Sequence, residues 1–279
     1  MKFANVVTLW MIACCPCGVA RAQLMLDTNA GPQSVFFGDA RSISAIFRNP
    51  GDQDFRSEIR TRMLQTTSAT AAPLGEKPWK ELRVLSRQTV LESAPLDFPA
   101  VNAETTFLVQ WLDDTNRVIG VTEVRVYPTN LLHELKLLVE ESWNNLGVLD
   151  PGNQLKPALK NAAIGFVDLA DTELAAFSGK LAVVGSCGPD APEWSGLAGR
   201  VHTLAQKGTP VVWIQGPPRK LDKPRPSFYT VPQDRAAVLV VQPELVAQLT
   251  ENPRSQLNLI YFCKLALRPE KPSLPNLSR

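Results

Sequence analysis

The sequence predicts two architectures in one chain. An antiparallel β-sandwich is expected over residues 23–128, followed by an open, doubly wound and mainly parallel α/β sheet over residues 129–268. Three observations predict this. From Gln23 to Pro128 apolar residues recur at every second position, the period of a half-buried strand. At Thr129 the period changes to three and four, the period of a helix. Beyond that point short unbroken Val/Leu/Ile runs alternate with helical segments, the pattern of strands covered on both faces.

The chain opens MKFANVVTLWMIACCPCGVARAQ. Lys2 precedes an apolar run from Phe3 to Cys15, and Ala20-Arg21-Ala22 matches a small-x-small cleavage site. The run is too short for a permanent transmembrane helix, so residues 1–22 are expected to be a secretory signal cut after Ala22, placing the protein outside the cytoplasm, secreted or periplasmic. Met11-Ile12-Ala13-Cys14 is similar to a lipoprotein box with Cys14 as lipid carrier. Met fits its first position poorly, so that route ranks second.

The sequence holds 29 basic and 27 acidic residues, and Lys2 and Arg21 leave with the signal. The mature chain is formally neutral, which removes the electrostatic case for nucleic acid or an anionic membrane as partner. Of five cysteines only Cys187 and Cys263 remain. They are either a disulfide pair or two small buried residues. No later stretch approaches membrane-spanning length, so no integral membrane segment is expected after signal removal, and no internal repeat is present.

SISAIFRNPGDQDF places Ile43, Ala45 and Phe47 on one face and then turns at Asn49-Pro50-Gly51-Asp52. RSEIRTRMLQ continues the alternation, with Ile59 facing one way and Arg56, Arg60 and Arg62 the other. A long exposed excursion is expected from Thr66 to Pro78, where Ala, Thr and Pro crowd. ELRVLSRQTVLE, TTFLVQWLDD and RVIGVTEVRVYP follow, the last two joined at the turn formers Asp113-Asp114-Thr115-Asn116. Short strands at this spacing indicate an immunoglobulin-like architecture, without the Cys-Trp-Cys signature of antibody domains.

LLHELKLLVEESW is a predicted helix with Thr129 or Asn130 as N-cap. LGVLD is the first strand of the second sheet, and PGNQLKPALKNA a helix. AIGFVDL is the second strand, TELAAFSG a short helix, KLAVVGS the third strand and EWSGLAGRVHTLAQKG a helix closed by Gly208. TPVVWIQ and AAVLVVQ are the fourth and fifth strands, and PELVAQLTENP and SQLNLIYFCKLALRP are helices. About five strands suit an open sheet rather than a barrel. The polar, proline-rich residues 269–279 form a tail.

The run from Leu146 to Gly216, and LAVVGSCGP within it, resembles a class I glutamine-amidotransferase-like domain of flavodoxin-like fold, also found as a non-catalytic module in some β-galactosidases. In an active member one strand ends in a glycine-rich loop of oxyanion donors, and the next ends in a Gly-x-Cys-x-Gly elbow. A downstream His, oriented by Glu, takes the thiol proton. KLAVVGSCGPD aligns with the oxyanion loop, not the elbow. The following strand offers Trp213-Ile214-Gln215-Gly216 at the elbow, with neither thiol nor hydroxyl, and both histidines, His133 and His202, precede the expected dyad. The resemblance therefore implies a degenerate site, in which Gly185, Ser186, Cys187, Gln215 and Gly216 hold a ligand or partner without catalysis. The alternatives are a cysteine hydrolase with Cys187 as nucleophile, its thiol near the helix that starts at Glu193, and, by analogy with the galactosidase modules, an accessory module in extracellular polysaccharide processing.

Other candidates read as structural. Asp168 and Asp171 form an apparent carboxylate pair, but Asp171 or Thr172 is more simply the N-cap of TELAAF. No cluster has metal-ligand spacing, and nothing in the sequence calls for a cofactor. The basic loop PPRKLDKPRPSF, with Arg219, Lys220, Lys223 and Arg225, lies where open α/β sheets bind anions, or is simply solvated. Trp111 and Trp143 read as core and Trp213 as central strand, while Trp79 and Trp194 flank loops and are candidates for exposure. The function expected is a non-catalytic binding or assembly protein whose partner is a protein or a small ligand.

Overall fold

The computed structural model describes residues 24–27, 31–139, 144–170, 172, 174, 176–186, 194–215, 228–231 and 236–268. The predicted signal, Asp171, Cys187, Glu193, Gly216, the basic loop Arg219–Arg225, Trp143 and the tail lie outside the described residues.

In the N-terminal half the alternation builds two sheets. β1 (Met25–Leu26), β3 (Gly38–Arg48) and β6 (Thr89–Phe98) form an antiparallel sheet in the order β1-β3-β6. β2 (Gln33–Phe36), β4 (Phe55–Thr66), β5 (Ala71–Val84), β7 (Thr105–Leu112) and β8 (Val118–Tyr127) form the other, in the order β2-β8-β7-β4-β5. Only β2 and β8 pair in parallel there. Inward residues of both sheets share one core, with Ile43, Ala45 and Phe47 from β3 meeting Ile59, Val109 and Trp111 from β4 and β7. Trp111 is fully buried. Its ring packs edge-on to Phe47 at 5.4 Å and to Trp79 at 5.1 Å, and its Nε1 donates to Thr122 Oγ1 at 2.9 Å. Trp79, a candidate for exposure, is a half-buried member of this cluster.

The expected excursion from Thr66 to Pro78 is instead a hairpin. Thr66 pairs with Ala71, and Thr67 N–H donates to the Thr70 carbonyl at 2.8 Å. Pro73 and Pro78 are tolerated because β5 is an edge strand and needs no donor on its free side. Its pairing with β4 shifts register twice, and Gly75, at φ 129°, stands beside the second shift. ELRVLSRQTVLE is not a single strand: it spans the end of β5, a turn at residues 85–88 and the start of β6.

The second half forms one six-stranded sheet. Its strands are β9 (Leu146–Leu149), β10 (Val167–Asp168), β11 (Leu181–Val184), β12 (Val211–Ile214), β13 (Phe228–Val231) and β14 (Val238–Val241). The order is β10-β9-β11-β12-β14-β13, parallel throughout except for β13. The residues of β9, β11 and β14 are all buried, which explains their unbroken apolar sequences. Helices α1 (His133–Leu138), α2 (Leu155–Asn161) and α4 (Pro253–Leu267) cover one face through Leu135, Leu159 and Ile260. Helix α3 (Trp194–Gln206) covers the other through Leu197, Val201 and Leu204.

Four local expectations are corrected. AIGFVDL contributes only two strand residues, and the described residues 172, 174 and 176 of TELAAF lie in bends and turns, not a helix. Thr172 is not a cap: its hydroxyl donates to the Asp168 carbonyl at 2.8 Å. PELVAQ gives a single 3-10 turn, Pro243–Val246. α1 begins after Leu132 with no side-chain cap, so neither Thr129 nor Asn130 plays that part. By contrast, α4 is capped by Asn252, whose side chain accepts from Arg254 N–H at 3.0 Å, with Pro253 at the first position. β13 was missed: it is a four-residue run set between Pro226 and Pro232. No helix among the described residues is long and apolar enough to cross a membrane.

Candidate functional site

The predicted site residues that are described lie together at the carboxyl ends of neighbouring strands. Gly185 and Ser186 continue β11, and Gln215 continues β12, its direct partner. Gly185 N–H donates to the Leu149 carbonyl at 2.7 Å and Gln215 N–H to the Val241 carbonyl at 2.8 Å. The parallel ladder thus runs one residue beyond the strands. Gly185 is buried, and Ser186 and Gln215 are half-buried.

A residue that sequence reasoning missed organises this edge. Asp150 follows β9 directly and is buried. Its Oδ2 accepts from Leu155 N–H at 2.8 Å and Lys156 N–H at 2.9 Å, and its Oδ1 from Gln154 N–H at 3.1 Å. A carboxylate at the start of α2 answers both the unpaired amides and the positive end of the helix. The readable signal was an Asp followed by Pro-Gly-Asn and a helical run.

The glycines here are explained by close approach. A methyl group on Gly185 would sit 2.7 Å from Asp150 Oδ1, and one on Gly152 would sit 2.7 Å from the Ser186 carbonyl oxygen. The loops after β9 and β11 therefore touch without side chains between them. Asp168, at the end of β10, is also engaged. Lys156 Nζ lies 2.5 Å from its Oδ2, and Ala170 N–H donates to its Oδ1 at 2.9 Å. Burial pushes the Asp168 carboxyl up. The hydrogen bonds from Lys156 and Ala170, with the charges of Lys156 and Lys160, outweigh it and hold the group below the ordinary carboxylate value.

The remaining polar candidates stand elsewhere. His133 opens α1 and His202 lies on α3, both exposed. Cys263 is a free thiol on the buried face of α4, and burial pushes it up to about 12. A thiol held neutral in this way is a packing group, not a nucleophile. Among the described residues no group of three or more His, Cys, Asp or Glu is placed to hold a metal ion.

No family model matches the sequence, and no curated protein matches it. Solved structures offer partial likenesses. A β-glucosidase from Listeria innocua is similar over 39% of this chain at 15% identity and a TM-score of 0.29. The alkylpurine DNA glycosylase AlkC of Pseudomonas fluorescens is similar over 38% at 11% identity and a TM-score of 0.29. The CsuC–CsuE chaperone–adhesion subunit complex of Acinetobacter baumannii is similar over 39% at 7% identity and a TM-score of 0.28. The chain spans 17% and 31% of the first two and 58% of the third. Likeness at this level assigns neither a fold family nor a function.

Proposed function

We propose that this chain is a non-catalytic binding or assembly protein acting outside the cytoplasm, secreted or periplasmic. In this reading an immunoglobulin-like sandwich precedes an amidotransferase-like domain of flavodoxin type that lacks the catalytic set. The fold part is supported by the order of the parallel strands. Numbered along the chain they lie 2-1-3-4-5, from β10-β9-β11-β12-β14, which is the flavodoxin-like order. In such sheets ligands bind outside the carboxyl ends of the strands, where Gly185, Ser186 and Gln215 stand.

One observation carries the non-catalytic reading. The two carboxylates that end or directly follow strands at this edge, Asp150 and Asp168, are held by backbone amides and Lys156. The strand expected to bear a nucleophile ends Trp213-Ile214-Gln215. A general base must be free to take a proton, and neither carboxylate is.

Alkylation of the chain from Gln23 onward by iodoacetamide across pH tests this. Cys263 stays silent because it is buried, so comparison with Cys187→Ser isolates the thiol at 187. An ordinary thiol profile, with a midpoint near about 8.5, fits a ligand-holding turn. A thiolate that reacts well below neutral pH and vanishes in Cys187→Ser would replace this reading with the hydrolase one. Mass spectrometry of the exported chain is expected to begin at Gln23.

A further inference from the structure

On one side of the sandwich the edge strands β5 and β6 of its two sheets face each other. Two ion pairs staple these edges, Lys77–Asp97 at 2.7 Å and Lys80–Glu92 at 2.5 Å. Beside the first of them the sheets splay around a cavity of about 500 Å³. Met63, Trp79, Leu96 and Phe98 line its interior, and Leu74 and Pro95 stand exposed at its lip. A concave apolar pocket of this size with a few polar groups at the mouth is the usual form of a small-molecule site.

The mouth is acidic, carrying Asp39, Glu76 and Asp97 against Lys77. Three of these four are engaged. Glu76 accepts from Arg62 Nε at 2.6 Å. Asp97 accepts from Lys77 Nζ at 2.7 Å and from Ala40 N–H at 2.9 Å. That last bond spans the irregularity in β3 between Gly38 and Arg41, where Ala40 has a φ of 51° and Asp39 joins Asp97 in lining the cavity. Asp39 is exposed and makes no hydrogen bond or close ion pair among the described residues, and the charge it feels there is that of the Lys77 ammonium, which is itself bonded to Asp97. An aromatic interior under an uncommitted carboxylate complements a cation with an apolar body.

We propose that the wedge between β5 and β6 is a binding site for a small organic ammonium compound whose aromatic or branched apolar body fills the cavity and whose charge meets Asp39. The edge strands favour a compact ligand over an added peptide strand. β5 is interrupted there by Pro73, Gly75 and Pro78, and β6 by Pro95, and such breaks deny an incoming strand a continuous ladder. The site is separate from the carboxyl edge of the parallel sheet and stands whether or not that edge binds anything.

Titration of the full chain with 2-phenylethylammonium, 2-phenylethanol and 3-phenylpropionate, read by calorimetry and tryptophan fluorescence, tests the proposal. The ammonium compound is expected to bind tightest, with the alcohol roughly fivefold weaker, the worth of one exposed charge pair at about 4 Å. Asp39→Asn should bring amine and alcohol to equal affinity, and Asp39→Lys should make the carboxylate the best ligand. Both changes are at an exposed side chain and leave the core intact. Loss of the fluorescence response in Trp79→Phe, with calorimetric binding retained, places the ligand in this cavity. Equal binding of all three compounds, indifference to Asp39, or no binding by any of them overturns the proposal. So does binding of a Lys-Phe peptide in preference to the free amine.

Discussion

Alanine at Gly185 and at Asp150, singly and together, isolates the contact that shapes the carboxyl edge of the parallel sheet. The added methyl in Gly185→Ala would lie 2.7 Å from Asp150 Oδ1 and 3.3 Å from Leu155 Cδ1. Overpacking of this kind costs about 1–3 kcal/mol, and the atom that must yield is the carboxylate oxygen capping α2. Asp150→Ala removes the acceptor of three amides, those of Gln154, Leu155 and Lys156. Loss of a cap costs about 1–2 kcal/mol, and leaving the buried Leu155 amide unpaired adds about 1 kcal/mol. Independent effects would sum to about 4–5 kcal/mol. The double variant is expected to cost only about 3 kcal/mol, because alanine at 150 deletes the atom that the new methyl strikes. Leu155 Cδ1 keeps the relief partial. Urea unfolding followed by far-UV circular dichroism gives the four stabilities. Additivity within about 0.5 kcal/mol would show that Gly185 is there for some reason other than this close approach.

Two further outcomes follow from groups whose titration the fold alters. Cys263, pushed up to about 12 by burial, should resist Ellman's reagent in the native chain and react only on unfolding. Its raised value also means that stability is full below the ordinary thiol value of 9.0 and declines as pH rises through it, a decline that Cys263→Ala lessens. Burial pushes the Asp113 carboxyl up, but the Thr115 hydroxyl, the Arg117 and Thr115 amides and the Arg117 guanidinium outweigh it and lower its value. The stability it lends is present above the ordinary carboxylate range and is lost as pH falls through the depressed native value. Asp113→Asn should therefore lower the urea midpoint at neutral pH and narrow that gap in acid, whereas a gap that widens on acidification contradicts the stated cause.

The parts of the fold that were legible are those where burial on one face writes a period into the sequence. β3, β4, β7 and β8 alternate because one side of each meets the shared core. β9, β11 and β14 are unbroken because both faces are covered. What misled was punctuation. Pro73 and Pro78 read as loop, yet an edge strand tolerates them, and the flanking prolines hid β13 for the same reason. TELAAF carries helical residues, but Thr172 and Asp168 bond to each other and to nearby backbone, a local alternative to the helix. At the candidate site the adjacency of Gly185 and Gln215 followed from strand order. Asp150 did not, because its meaning lies in contacts with α2 and Gly185 that a linear reading of LGVLDP does not contain.

How charged groups are committed separates the carboxyl edge of the parallel sheet from the wedge between β5 and β6. At the carboxyl edge of the parallel sheet, Asp150 and Asp168 hold amides and a lysine within 2.5–3.1 Å. Freeing either carboxylate to receive a ligand or a proton would first break the start of α2 or the ion pair that joins α2 to β10. In the wedge between β5 and β6 the balance runs the other way. Lys77 and Asp97 pair across an exposed gap, where solvent screens such a bridge, and Asp39 makes no hydrogen bond or close ion pair among the described residues. A ligand entering there would meet Trp79 and Leu96 beside an exposed ion pair rather than a buried cap. The cheaper site to fill is therefore in the sandwich, although the parallel sheet is where the fold alone would direct the search.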